Sequence, residues 1–101
     1  MNLKKLMDSK RIKDAEYSNG ASNSDFKFTI DGIAVRVISN PHGTTIHRDL
    51  DKVGYQSITA IQQDNGNFAI SYNDYRGEAA DVKDLGEFNL ADTLAFMADY
   101  K

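Results

Sequence analysis

Cysteine is absent from this chain of 101 residues, which excludes a disulfide framework, a thiolate metal site and a cysteine nucleophile and leaves packing alone to hold the core. Proline occurs once, at Pro41, and no segment recurs at solenoid periods, so neither a disordered chain nor a repeat array is expected. Long hydrophobic runs are also missing. No stretch approaches the roughly 20 apolar residues that span a bilayer. The opening Met1-Asn2-Leu3-Lys4-Lys5 lacks the continuous apolar run of a secretory signal, and the expected location is the cytoplasm. Neither a G-x-G-x-x-G nor a G-K-[ST] sequence is present, which removes the common phosphate-cradling loops. No serine stands in a recognisable nucleophile motif.

What is present is enough for one modest core. Hydrophobic residues make up 41% of the chain, and a chain of this length is expected to form a single domain over 1–101. The formal net charge of −3 conceals an asymmetry. Residues 1–13 carry Lys4, Lys5, Lys10, Arg11 and Lys13 against Asp8. Residues 64–101 carry Asp64, Asp74, Glu78, Asp81, Asp84, Glu87, Asp92 and Asp99 against Arg76, Lys83 and Lys101. Such a pattern bears on partners and not on fold.

Two hairpins organise the reading. Around Asp31-Gly32, a dipeptide suited to a type I′ turn, Ile30 meets Ile33, Phe28 meets Val35 and Phe26 meets Val37. That face is wholly apolar, while Thr29 with Ala34 and Lys27 with Arg36 occupy the other. Around Asn65-Gly66 a two-residue turn sets Asp64 opposite Asn67. Gln63, Ile61 and Thr59 then face Phe68, Ile70 and Tyr72 on one side. Gln62, Ala60 and Ile58 face Ala69, Ser71 and Asn73 on the other.

Three helices complete the expected fold. Leu3, Leu6 and Met7 share a face by 3/4 spacing, which predicts an N-terminal helix over residues 2–13, ended by a loop over Tyr17–Ser24 rich in turn residues. Ile46, Leu50 and Val53 fall at i, i+4 and i+7, so a short middle helix is expected over 45–53, with Gly54 ending it. Asn89 is a good cap for a C-terminal helix with Asp92 at N3. Leu90, Leu94, Met97 and Ala98 form its stripe, widened by Phe96 and Tyr100. The expectation is therefore an α+β domain: a four-stranded antiparallel sheet from two hairpins, with the closing helix on its apolar face.

Function is read from weaker signals. His42 and His47 stand at i, i+5, which does not stack on one helical face as a zinc pair does; loop histidines are the expectation, with no metal and no cofactor. The segment Asp74, Glu78, Asp81, Asp84, Glu87 has recurrent 3-to-4 spacing. On a helical turn this sets carboxylates about 5–6 Å apart, comparable with neighbouring phosphates of a nucleic-acid strand. Tyr75 and Arg76, at its entrance, are of the types enriched at binding hot spots. The reading is a small acidic protein-binding module without catalysis that occupies a basic, nucleic-acid-handling surface of a larger protein. Inhibitors encoded by phages and mobile elements against CRISPR effectors and restriction systems share this size and acidity. A homodimer through the open sheet face is compatible with it. The alternative is direct nucleic-acid binding through Lys4, Lys5, Lys10, Arg11, Lys27 and Arg36.

Overall fold

Alternation of apolar and polar residues, at a period of two, runs through most of the chain between residue 24 and residue 74, and such a pattern half-buries a strand. The computed structural model describes residues 12–20 and 23–100 and shows what this pattern builds. Seven strands follow one another: β1 Ile12–Asn19, β2 Ser24–Ile30, β3 Ile33–Asn40, β4 Gly43–Asp49, β5 Gln56–Gln62, β6 Phe68–Asp74 and β7 Asp81–Phe88; one helix, α1, spans Leu90–Asp99. The strands form a single antiparallel sheet in sequence order. Among the described residues, no helix is long and apolar enough to cross a membrane.

The α+β expectation of a four-stranded sheet with three helices is therefore overturned. The predicted N-terminal helix lies outside the described residues over 1–11, while Ile12 and Lys13 belong to β1. Tyr17, Ser18 and Asn19, expected in a loop, also extend β1 and pair with Phe26, Asp25 and Ser24. The middle helix is replaced by β4, where Thr44 and Ile46 are buried. In that segment the β-branched run Thr44-Thr45-Ile46 favours a strand, and the apparent helical stripe was misleading because Val53 is 70% exposed. The acidic segment after Asp74, whose carboxylates were expected at helical-turn spacing, is a loop over 75–80 and then pairs with β6 as β7 from Asp81.

Of the two predicted hairpins, the first forms in the predicted register, with Asp31 and Gly32 at φ 52° and 83°. The second is shifted by one residue. Gly66 N–H donates to Gln63 O at 2.9 Å and Gln63 N–H to Asn67 O at 2.7 Å, so the loop is three residues long, a turn closed by Gly66 at φ 87°. This is the three-residue alternative in which the glycine takes the left-handed position. Ala60 consequently meets Ile70 and Ile58 meets Tyr72. Ile58, predicted on the open face, is fully buried, and Ile61, predicted in the core, is 53% exposed.

One face of the sheet carries the core. Phe26, Phe28, Ile30, Val35, Val37, Ile46, Ile58, Ala60, Phe68 and Ile70 are buried together with Met97 of α1. The helix begins as the sequence suggests: the Asn89 side chain accepts from Asp92 N–H at 2.8 Å. Its buried positions are Thr93 and Met97. Rings of Phe88, Phe96 and Tyr100 continue the contact, with centroids 5.6 Å apart in each consecutive pair. The helix has no basic residue in its last turn, and Arg48 of β4 fills that role from across the sheet by donating to Met97 O and Tyr100 O. A guanidinium there satisfies carbonyls that the helix leaves unpaired and meets its negative end.

Candidate functional site

The opposite face, called here the outer face, is set by the same registers. A continuous row crosses it: Glu16 beside Lys27, then Arg36, His47, Thr59, Ser71 and Asp84. Of its cations, Arg36 is already engaged. Arg36 Nε reaches both Asp25 oxygens, at 2.9 and 3.0 Å, and Nη2 also donates to Asp25. That fork lowers the Asp25 pKa and raises that of Arg36, hydrogen bonding being the larger cause in each. Lys27 and Arg36 thus stand side by side as the sequence implies, but Arg36 is paired and Lys27 faces Glu16. Lys4, Lys5, Lys10 and Arg11 lie outside the described residues.

His47, expected in a loop, is a half-buried strand residue with two partners: Nδ1 lies 3.2 Å from Thr59 Oγ1, and Nε2 lies 2.8 Å from Asp49 Oδ1. Asn73 Nδ2 donates to Thr59 Oγ1 at 3.1 Å and approaches Ser57 Oγ at 3.4 Å. Sequence reasoning missed this cluster because it read residues 45–53 as a helix and the histidine itself as an exposed one, not as a strand residue; alternation through β4 and β5 was the available signal. With Asp49 accepting from Nε2–H, Nδ1 accepts from the Thr59 hydroxyl, which resembles the order of a nucleophile, a base and an orienting carboxylate. The bonds of the cluster satisfy polar groups where Ser57 and Asn73 are 2% and 7% exposed. His42 is exposed in the turn between β3 and β4, its N–H on Asn40 Oδ1. Among the described residues, no three His, Asp or Glu side chains converge to hold a metal.

The predicted acidic residues separate into three groups. At the end of β6, Arg76 grips Asp74 through Nε at 3.0 Å and Nη2 at 2.8 Å, and its own N–H adds a bond at 3.0 Å. These bonds, the side-chain ones foremost, hold the Asp74 carboxyl at about 2 against an ordinary 3.8, with the Tyr72 hydroxyl a minor contributor. Arg76 is therefore spoken for. Tyr75 is 52% exposed and its N–H donates to Tyr55 O at 2.8 Å, which sets it beside the 54% exposed Tyr55. Glu78 is exposed in the loop before β7.

The remaining three lie on β7. Asp81 stands opposite Asp74, Asp84 opposite Ser71 and Glu87 opposite Ala69. Asp84 and Glu87 thus belong to the outer face and Asp81, with Lys83, to the helix side. The helical-turn spacing of 5–6 Å is overturned by this strand; at about 3.3 Å per residue, Asp81 and Glu87 stand about 20 Å apart along the sheet edge. Glu87 also accepts from Asn65 Nδ2 at 3.2 Å. A break in the β6 and β7 register at Ile70/Ser71 accommodates Leu85, which packs against the core.

Taken together, the described residues define a seven-stranded antiparallel meander with a helix on its apolar face and a charged outer face ending in an acidic edge. Comparison of the chain with family models, curated proteins and solved structures finds no match.

Proposed function

We propose that this chain is a non-catalytic protein-binding module of the cytoplasm that presents an acidic sheet edge to a basic, nucleic-acid-handling surface of a larger protein, as an inhibitor of that surface would. The observation that carries the reading is the charge balance of the outer face: the strands place Asp14, Glu16, Asp25, Asp49, Asp84 and Glu87 there against Lys13, Lys27 and Arg36. A face of that sign repels phosphates and attracts cationic side chains, steering encounter in a salt-dependent way. It argues against direct nucleic-acid contact through Lys27 and Arg36, since Arg36 is already bound to Asp25.

The test compares wild type with a D81N/D84N/E87Q variant as baits in the source cell's lysate, followed by affinity measurements on the protein captured. Loss of about tenfold or more in affinity for the variant, with a shallower dependence on NaCl, is the expected result. Equal affinity of the two baits defeats the proposal. So does a low-salt gel shift of DNA or RNA that disappears when Lys27 and Arg36 are replaced, since that outcome belongs to the nucleic-acid reading.

A further inference from the structure

We infer that the partner contributes an extended basic segment that adds to β7 as an eighth strand of the sheet; the inference rests on the protein-binding reading above and names how the partner is held. The backbone pattern fixes which groups are available. Gln63 N–H bonds Asn67 O, and Tyr75 N–H bonds Tyr55 O, so the odd-numbered residues of β6 turn their backbone groups toward β5 and the even-numbered ones toward β7. The β7 partners of those even residues are Phe88, Gly86, Lys83 and Asp81. Val82, Asp84 and Glu87 consequently turn their N–H and C=O groups to the outer edge of β7, which no described strand covers.

The stretch Asp81–Asp84 pairs residue for residue with β6, so it is a regular template up to the break at Leu85. An incoming strand would bury the Val82 side chain, 58% exposed, and would run past Asp81, Asp84 and Glu87. Backbone bonds supply the affinity in this mode of recognition and alternate side chains supply the choice of partner. Charge complementarity selects the occupant: cations opposite the carboxylates and an apolar residue near Val82.

The experiment uses the whole chain, labelled with nitrogen-15, and a synthetic peptide of about ten Arg and Val residues, with Val opposite Val82 and Arg opposite Asp81, Asp84 and Glu87, at about 20 mM NaCl, where surface charges are weakly screened. A second peptide of the same sequence is N-methylated at every other residue, which keeps the charge and removes backbone donors. The expected result is binding of the first peptide with amide exchange at Val82 and Asp84 slowed about tenfold or more, and at least about tenfold weaker binding of the second. Val82→Pro removes one outward N–H without touching a β6 bond and is expected to weaken the first peptide similarly. Equal binding of both peptides, with no protection at Val82 and Asp84, overturns strand addition while leaving the acidic-edge reading standing. Failure of both peptides to bind overturns both readings.

Discussion

Asp74 shows how a candidate binding residue is committed elsewhere. Its carboxylate accepts from the Arg76 guanidinium, the Arg76 N–H and the Tyr72 hydroxyl, and its pKa falls to about 2 from 3.8 in consequence. A depressed folded-state pKa stabilises the folded chain once the pH exceeds the unfolded value, and the contribution fades as acid protonates the folded carboxyl. The pH window lies between 3.8 and about 2. Arg76→Met is therefore expected to raise the Asp74 pKa toward its ordinary value, read by carbon-13 NMR of the carboxyl. The stability gap between wild type and variant should be constant above about pH 5 and close in that acid window. A gap of equal size at pH 2 and pH 7 would refute the assignment. Sequence reading found Asp74, Tyr75 and Arg76 but gave them one role. The structure spends Arg76 on Asp74 and leaves Tyr75 beside Tyr55.

Among elements, the legible ones were those whose local chemistry admits a single solution. Asp31-Gly32 joins runs of strictly alternating residues, and any slip would expose Phe26, Phe28 and Ile30; the predicted pairing is the one found. Asn89 and the apolar stripe made α1 readable, although Thr93 was missed as a buried position. Asn65-Gly66 was ambiguous, because both a two-residue and a three-residue loop use a glycine at positive φ, and the choice depends on burying Ile58 and Ala60. β7 was illegible for another reason. A charged edge strand with an irregularity carries almost no alternation, and its carboxylates imitate helical spacing.

Two glycines allow these turn and edge geometries to be tested against each other. A Cβ at Gly66, φ 87°, meets nothing within 4 Å, so Gly66→Ala costs only backbone conformation, about 1–2 kcal/mol. At Gly86, φ 114°, a Cβ would lie 3.3 Å from the Phe88 ring, and this φ lies beyond the usual left-handed region. Gly86→Ala is expected to destabilise more than Gly66→Ala in urea unfolding, and the reverse order would refute the geometry of the β7 irregularity.

Across the whole molecule, the charges proposed to attract a partner also repel one another. The outer face sets six carboxylates against three cations over its strands, and two of the arginines nearest them, Arg36 and Arg76, are held in pairs. Salt screens both attractions and repulsions between exposed groups, over about 8–10 Å at physiological strength. Bidentate pairs in contact lose less to screening than longer-range repulsions do, so the repulsive sum is relieved first. Raising NaCl from about 10 to about 150 mM is therefore expected to stabilise the free chain by roughly half a kcal/mol, seen as roughly 2–4 °C in the thermal midpoint. Over the same range the affinity for a basic partner should fall. The D84N/E87Q variant should start with a higher midpoint at low salt and gain less from added NaCl, because the charges being screened are already gone. A wild-type midpoint that drops with salt would mean that the attractive pairs outweigh the repulsion. The acidic face would then be a balanced structural surface, with no stability given up for binding.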